Sequence, residues 1–452
     1  MKIKDLTSGH ILSHLFRLAM PTIGSSFMQM TYVLSDMIWL GRLGEDAVAS
    51  VGAAGLFIWC GNSLLLTTKI GAEIGVSQSL GRKTPEIALQ FLRLSLFWAS
   101  IISLFFSVIV FIFASNLIAF FAIPSEIVAV EGSSYLRIVS LSFVFFFVNP
   151  TFAGIYNGMG NSRLPFRYIS VGVILNVILD PLLIFGIGPI PAMGVKGAAY
   201  ATVFAQVVVW SIFFYRLIVR QEMMKLQFKK FNFGAKISKK IFQLGFPVAS
   251  ESALFSIFAM ILTKMTASFG AVAIAVQSIG AQIESVSWMT TNGFSTALCS
   301  FTGQNFGAGK WKRIKIGYRF AMTIGLGLGI CVTMLFLFFG ENIFSIFLKD
   351  ADSIKLGGAY LKILAVSQLF MIFEITTRGS FNGIGKTIPP SLTGITFTGL
   401  RIPLAYLLCS IPELGVLGIW WAISLTSVVK GTLLPIWLLI VFRKKNSTSL
   451  KT

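Results

Sequence analysis

The chain is divided into about a dozen apolar segments, each long enough to cross a membrane as a helix. The hydrocarbon core of a bilayer is about 30 Å thick, which roughly 20 helical residues can span. Only 12% of the 452 residues are charged, whereas a soluble domain carries about 25%. A transmembrane barrel would instead need alternating segments of about 10 residues, which the sequence does not contain. The sequence therefore predicts an all-α polytopic membrane protein.

The apolar segments predict twelve transmembrane helices, six in each half of the chain. In the first half the helices are predicted at about 13–41, 47–80, 87–120, 126–158, 163–187 and 194–220. In the second half they are predicted at about 237–269, 272–306, 312–348, 353–384, 388–410 and 415–442. The predicted domains are an N-terminal lobe (1–220), a basic linker (221–240) and a C-terminal lobe (241–452).

The two halves repeat each other in sequence. A shift of 226 residues pairs Pro21 with Pro247, and a shift of 225 pairs Tyr135 with Tyr360. The same shifts also pair Gly44 with Gly270, Gln78 with Gln304, Gly154 with Gly379, and Pro165 with Pro390. With six helices in each repeat, both copies insert in the same orientation. We therefore expect two parallel six-helix lobes related by a pseudo-two-fold axis along the membrane normal, which is a transporter architecture.

The net charge of +20 is concentrated in alternate connections between the predicted helices. The connection 220–240 alone holds seven Lys and Arg residues, and further basic residues lie near both termini. Basic residues mark the cytoplasmic side of membrane proteins, so both termini and the linker are predicted to be cytoplasmic. This placement favours anionic membrane lipid as the partner of the basic residues and argues against nucleic acid.

Polar residues inside the apolar segments are the candidate functional residues, because an ionised carboxylate at bilayer depth costs at least about 2.5 kcal/mol. Asn176 and Asp180, in the stretch LNVILDP, are four residues apart and share one face of a helix. Asp36 lies in the first predicted helix. Two neighbouring carboxylates can share a proton, and carboxylate and amide oxygens also suit Na⁺. A structural hydrogen bond within the helix bundle is the alternative.

The second half has acids of its own at Glu251, Glu284 and Glu374. We interpret them as a second coupling site or as part of a substrate site. The alternative is an ion pair with a basic residue of the same lobe, for which Lys264, Arg378 and Arg401 are available. In the first half, Lys69 and Glu73 are spaced four apart on one helix and are interpreted as a structural pair.

A substrate cavity is predicted from polar, aromatic and methionine side chains in the first and eighth predicted helices. Glu284, Trp288 and Asn292 step by four along one stripe, and such a stripe in a membrane helix usually faces a wet cavity. Methionine provides an adaptable surface for varied ligands, although methionines first of all pack and face lipid. The predicted cavity residues are Met28, Gln29, Trp288, Met289 and Asn292.

Two prolines at equivalent positions of the repeat are predicted to act as hinges or stable kinks. Pro21 lies within the first predicted helix and Pro247 within the seventh. Proline removes one helical hydrogen bond and bends the helix at that point.

Taken together, these features resemble the multidrug and toxic compound extrusion (MATE) family of transporters. The resemblance covers nearly the whole chain and rests on the paired lobes, Pro21, and the stretches SDMIWLGRLG, YNGMGNSRLP and LNVILDP. In this family, acids of helices 1 and 5 are associated with cation or proton coupling, and the matching residues are Asp36, Asn176 and Asp180. Tyr135 matches the family's hydroxyl position, and Glu251 and Glu374 look like acids that some relatives use on helices 7 and 10.

The resemblance implies a Na⁺- or H⁺-coupled multidrug antiporter that exports organic cationic or amphiphilic compounds by alternating access of its two lobes. Such a protein is expected in the cell membrane, as a monomer, with no cofactor beyond the coupling ion and no enzymatic activity. The alternative is a lipid-linked oligosaccharide flippase of a similar fold, which would prefer a strongly basic cavity for pyrophosphate. An intramembrane enzyme is disfavoured because the sequence contains neither HExxH nor GxSxG on suitable elements.

Overall fold

The computed structural model describes residues 4–120, 125–186, 188–189, 191–216 and 234–449. Within these ranges the chain forms fourteen α-helices and no β-strand. The helices are α1 (Ile11–Gly41), α2 (Glu45–Gly81), α3 (Pro85–Ala119), α4 (Glu126–Ser140), α5 (Phe143–Gly158), α6 (Arg163–Phe185), α7 (Val195–Phe214), α8 (Ala235–Ala267), α9 (Ala271–Gly307), α10 (Trp311–Ser345), α11 (Ala351–Gly383), α12 (Ile388–Gly399), α13 (Arg401–Cys409) and α14 (Leu417–Ser449).

The predicted all-α class is confirmed, and each predicted helix has a counterpart with similar ends. Two of the predicted helices, 126–158 and 388–410, are each divided into two shorter ones. The last residues of the predicted helix 194–220, and most of the predicted linker 221–240, lie outside the described residues. The described end of the linker already belongs to α8, which begins at Ala235.

Between α4 and α5 the chain bends by 51°. Serine hydroxyls at this point bond back to backbone carbonyls: Oγ of Ser140 donates to Arg137 O and Oγ of Ser142 donates to Val139 O, both at 2.7 Å. The Ser142 N–H also donates to Val139 O, three residues back, at 2.9 Å. Such bonds tighten the turn and compete with the regular helical pattern. The apolar pattern alone could not reveal this bend.

The division between α12 and α13 falls at Leu400. Pro403 has no N–H to donate to the carbonyl of Gly399, so the helical hydrogen-bond ladder is interrupted there. By length and composition, Ile388–Cys409 still qualifies as one membrane span.

In the described ranges, nine helical segments are long and apolar enough to cross a membrane, or ten if the bent pair α4 and α5 forms one span. Helices α1 and α9 are as long, at 31 and 37 residues, but are not among them. They carry polar residues such as Asp36 and Glu284, which are tolerated in a bilayer when they face protein or a wet cavity. The chain is a multi-pass membrane protein.

The chain is organised into two compact units. The first contains Met1–Asp5 and Gly24–Ala249, and the second contains Leu6–Ile23 and Ser250–Thr452. The boundaries fall just after Pro21 in α1 and just after Pro247 in α8, so each of these helices contributes one half to each unit. The lobes predicted from the sequence, 1–220 and 241–452, are continuous segments of the chain, and their limits stay a prediction.

The sequence repeat corresponds to a repeat of helix packing within each unit. In the first unit, Gly154 of α5 lies so close to the backbone of α2 that a Cβ would come within 2.7 Å of Lys69 O. In the second unit, Gly379 of α11 lies against Ser295 O of α9, and a Cβ there would overlap it. The shifts of 225 and 226 residues relate these two contacts. Small residues allow helices in membranes to approach this closely.

The segment that precedes α1 is fixed to the second unit, to which it belongs from Leu6 onward. Asn305 donates from its side-chain amide to Leu6 O at 3.1 Å. The Arg313 guanidinium donates to Gly9 O at 3.0 Å and to Ser8 O at 3.2 Å. These hydrogen bonds tie the start of α1 to α9 and α10.

Candidate functional site

The first unit contains a buried pair of carboxyl groups. Asp36 of α1 and Asp180 of α6 are 9% and 0% exposed, and their side chains interact with each other. Two buried carboxyl groups that interact in this way can share a proton, because two like charges side by side are unfavourable. The structure thus brings together the two acids that the sequence predicted as a coupling pair.

Asn176 completes this pair and leaves buried oxygens that lack donors. Its Nδ2 donates to Oδ1 of Asp180 at 3.1 Å, one helical turn away on α6. No donor among the described residues reaches Oδ1 of Asp36, Oδ2 of Asp180 or Oδ1 of Asn176. Buried oxygens normally have partners. A proton or a small hard cation such as Na⁺ is chemically suited to supply one here.

Hydroxyl groups from three other positions surround the carboxyl pair. Tyr32, one turn before Asp36, interacts with Asp36, and its hydroxyl is 2.8 Å from Oγ1 of Thr202 on α7. Tyr135 of α4, the predicted hydroxyl position, interacts with Thr202, Asp36 and Asp180. The sequence analysis missed Tyr32 and Thr202. The spacing of four between Tyr32 and Asp36 could have indicated Tyr32, whereas nothing in the sequence singled out Thr202.

Local sequence features place these groups. Asn176 and Asp180 share a face of α6, and Pro181 follows directly, so the helical carbonyl four residues before the proline loses its usual donor. Gly197 of α7 lies against the backbone of Leu183, where a Cβ would overlap it. This close approach of α7 to α6 brings Thr202 to the site.

In the second unit, Glu251 and Glu374 are part of a buried ion-pair network. Arg378 Nη2 lies 2.8 Å from Glu251 Oε1 and 2.9 Å from Glu374 Oε1. Lys430 Nζ lies 3.2 Å from Glu374 Oε2. Two acids and two bases make this network formally neutral. The structure has the ion-pair arrangement that the sequence offered as the alternative, with Arg378 among the expected partners. Lys430 was missed, although a lone lysine in an apolar helix is a recognisable signal.

Glu284 lies in a separate polar cluster of the second unit. Gln368 Nε2 donates to Glu284 Oε1 at 2.9 Å, and Glu284 is attracted by Arg401. The Arg401 guanidinium is itself held by α14, where Nε donates to Oγ1 of Thr426 at 3.0 Å and Nη2 donates to Oγ of Ser427 at 2.9 Å.

The predicted cavity residues are divided between the two units. Met28 and Gln29 belong to the first unit, whereas Trp288, Met289 and Asn292 belong to the second. All five are at least partly exposed. Their role in binding substrate stays a prediction.

The chemistry of the buried acids suits a simple cation better than a transition metal. Among the described residues there is no group of three or more His, Cys, Asp or Glu side chains that could hold a metal ion. The three predicted Na⁺ ligands, Asp36, Asn176 and Asp180, offer only carboxylate and amide oxygens, which are hard ligands.

The fold and the buried acid site define a class: a multi-pass helical membrane protein built from two repeated units, with carboxyl groups buried in one of them. The MatE family model matches residues 21–182 and again residues 247–407, which is more than half of the chain. The chain therefore belongs to the MATE family of transporters. The second match begins 226 residues after the first, at the shift that pairs Pro21 with Pro247.

Similar proteins support this assignment over nearly the whole length. A probable multidrug resistance protein NorM from Thermotoga maritima is 27% identical, with 94% of this chain and 91% of the relative covered. A probable multidrug resistance protein YoeA from Bacillus subtilis is 25% identical, with 95% and 94% covered. A solved structure of a multidrug resistance MATE transporter in an outward-facing conformation has a TM-score of 0.91 at 22% identity, with 98% of both chains covered. This structural match shows that the chain has the MATE fold.

Proposed function

We propose that this protein is a multidrug antiporter that exports organic cationic or amphiphilic compounds, driven by inward flow of Na⁺ or H⁺. The observation that supports this most strongly is the interacting pair Asp36 and Asp180, buried with Asn176 and bearing oxygens without donors. Burial of two acids is costly in a membrane protein and marks ion or proton pathways. Tyr32, Tyr135 and Thr202 supply the hydroxyl groups around the ion.

The coupling ion acts by favouring one conformation of the protein. A ligand that binds two states equally shifts nothing, so an antiporter needs an ion and a substrate that prefer different states. Without a proton or Na⁺, the carboxylates of Asp36 and Asp180 repel each other and need water, which favours an open and hydrated first unit. With the charge neutralised, α1 and α6 close together. This closure lowers the affinity of the protein for a cationic substrate and releases it.

The substrate class rests on the relatives and on the predicted cavity residues. The relatives from Thermotoga maritima and Bacillus subtilis are both named as probable multidrug resistance proteins. Met28 and Met289 provide flexible apolar surface, while Gln29, Trp288 and Asn292 offer polar and aromatic contacts to a cation.

We further propose that the protein resides in the cell membrane as a monomer with both termini in the cytoplasm. The alternation of basic and weakly charged connections supports this orientation. An impermeant cysteine reagent should then label a cysteine introduced into the linker 221–240 in inverted vesicles but not in intact cells.

Transport in proteoliposomes tests the proposed function. The purified protein is reconstituted and export of a fluorescent organic cation is followed under a Na⁺ gradient alone, a pH gradient alone, and neither. We expect transport with one of the two gradients and only leakage without them. Absence of gradient-dependent transport, together with scrambling of a labelled lipid-linked oligosaccharide, would replace the proposal by the flippase alternative.

A further inference from the structure

The second unit replaces the polar groups of the candidate coupling site by apolar ones. The repeat shifts give each site residue of the first unit a counterpart in the second. Tyr32 and Asp36 correspond to Phe258 and Leu262 at a shift of 226, and Asp180 corresponds to Ala405 at a shift of 225. Further along the chain the shift falls to 221, because Pro191, Gly194 and Gly197 match Pro412, Gly415 and Gly418, so Thr202 corresponds to Ile423. Neither carboxyl group and neither of these two hydroxyl groups is retained. At these four positions the second unit therefore lacks the oxygens that form the candidate site of the first unit.

The remaining site residue, Asn176, corresponds to Arg401, which brings a permanent positive charge. The match of the family model ends at residues 182 and 407, so the shift of 225 still applies at these positions. Arg401 is 9% exposed, and its guanidinium is fixed by Oγ1 of Thr426 and Oγ of Ser427. Because guanidinium keeps its proton in proteins, this charge cannot leave.

A tyrosine lies beside the site in the first unit, and its repeat counterpart is also a tyrosine. This pair of tyrosines identifies the place in the second unit that is equivalent to the site. Tyr135 interacts with Asp36 and Asp180 in the first unit, and Tyr360 interacts with Glu284 and Arg401 in the second.

The space beside Tyr360 is filled by apolar side chains. The Trp420 ring packs edge-on against the Tyr360 ring at 4.9 Å between centroids. Leu262, Ala405 and Trp420 belong with Tyr360 to one buried hydrophobic cluster. At the position of Trp420 the first unit has Ala199. The bulky indole in place of an alanine methyl group reduces the space for an ion beside the tyrosine.

The acids of the second unit already have basic partners. Glu251 and Glu374 are paired with Arg378, and Glu374 also with Lys430. Glu284 is attracted by Arg401 and Lys430 and accepts a hydrogen bond from Gln368.

We propose that the guanidinium of Arg401 is a resident cation. It occupies in the second unit the place that the exchangeable coupling ion occupies in the first unit. The second unit is thus permanently in its neutralised state, and the protein binds a coupling ion in the first unit alone. The proposal rests on the proposed ion coupling at Asp36 and Asp180. It assigns Glu251, Glu284 and Glu374 to charge balance rather than to coupling.

Removal of the Arg401 charge should create a second cation-dependent site. Arg401→Gln leaves Glu284 without its basic neighbour on α13, so a proton or Na⁺ is needed to neutralise it. The measurement is the melting temperature of the purified full-length protein in Na⁺ against choline at constant ionic strength, and at pH 6 against pH 8. Arg401→Gln is introduced both into the wild type and into Asp180→Asn, in which the first site is removed. In both backgrounds, Arg401→Gln should make the melting temperature rise by several degrees more in Na⁺ or at low pH than it does without this substitution.

Two further variants keep the test independent of misfolding and of the proposed function. Arg401→Lys retains the charge and should add no cation dependence, while Glu284→Gln in the wild type should leave the existing dependence unchanged. If Arg401→Gln adds no dependence in either background, or if Glu284→Gln abolishes the wild-type dependence, Arg401 is not a resident cation. If instead the wild type responds to neither ion but Arg401→Gln does, the proposed coupling at Asp180 fails and the role of Arg401 stands.

Discussion

Asn176 donates a hydrogen bond from its side-chain amide to Oδ1 of Asp180, 3.1 Å away and one turn further along α6. This bond orients the amide so that its own oxygen, which is buried, receives no hydrogen bond within the described part of the chain. Asn176 thus both fixes one carboxylate and offers an additional oxygen to an ion. The sequence indicated this pair by its spacing and predicted Asp36 as a further member of the site, and in the structure Asp36 interacts with Asp180.

Asn176→Ala removes the donor to Asp180 and one oxygen ligand together. Hydrogen bonds to charged groups contribute about 1.5–3 kcal/mol, so the cation concentration that gives half-maximal transport should rise by roughly tenfold or more. The measurement is transport rate against Na⁺ or H⁺ concentration in proteoliposomes. Asn116→Ala, at an exposed position of α3, is the matched control and should leave the curve in place. An unchanged curve for Asn176→Ala would exclude Asn176 from ion binding.

Lys430→Met tests the ion-pair network of the second unit. The variant leaves Glu374 with Arg378 as its remaining basic partner, and breaking a buried ion pair costs about 3 kcal/mol or more. The melting temperature in detergent should fall clearly. Lys362→Met is the control, because Lys362 and Glu341 form a pair whose side chains are 52% and 51% exposed, and such pairs contribute at most about 1 kcal/mol. Equal losses in the two variants would contradict a structural role for the buried network.

The fold could be predicted from the sequence far better than the site. Long apolar segments have few alternatives in a bilayer, which is why the twelve predicted helices have counterparts with similar ends. The bend after Ser140 was missed because it depends on serine hydroxyls that bond to backbone carbonyls, and the apolar pattern does not register such bonds.

The candidate site was predicted only where residues share a helix or match a family position. Asn176 and Asp180 are one turn apart, so their proximity follows from helix geometry alone. Thr202 and Gln368 reach their partners from other helices, and a single sequence does not show which faces meet. The ion pair of Arg378 with Glu251 depends on the packing of α8 against α11 in the same way.

Arg313→Ala should release the segment before α1. The guanidinium holds the backbone of Ser8 and Gly9, so its loss should release this segment and expose the buried Leu6 side chain. Hydrogen–deuterium exchange of the N-terminal peptide should become faster, while exchange in α6 stays the same. Lys312→Ala, at an exposed neighbouring position, should change neither. Equal exchange in Arg313→Ala and the wild type would mean that the other hydrogen bonds suffice.

Pro21→Ala tests the predicted hinge in α1. The two halves of this helix belong to different units, so we expect a conformational change during transport to bend the helix near Pro21. Alanine restores a helical hydrogen bond and should stiffen this point. We expect slower transport and altered labelling of a cysteine placed at position 36, with unchanged melting temperature. Pro247→Ala is expected to act in the same way in α8. Unchanged transport and labelling in Pro21→Ala would rule out the hinge in that helix.

Gradient-driven export by Asp180→Asn, measured in proteoliposomes at equal reconstituted amounts beside Asp36→Asn and the wild type, tests the proposed coupling most directly. Asparagine mimics the neutralised acid, so substrate binding should become independent of the ion. Export against a gradient should be lost in both variants although both insert into the membrane. Glu73→Gln, at a buried acid of α2 interpreted as the partner of Lys69, is the control and should keep coupling. Wild-type, gradient-dependent export in both Asp180→Asn and Asp36→Asn would contradict coupling through the first unit.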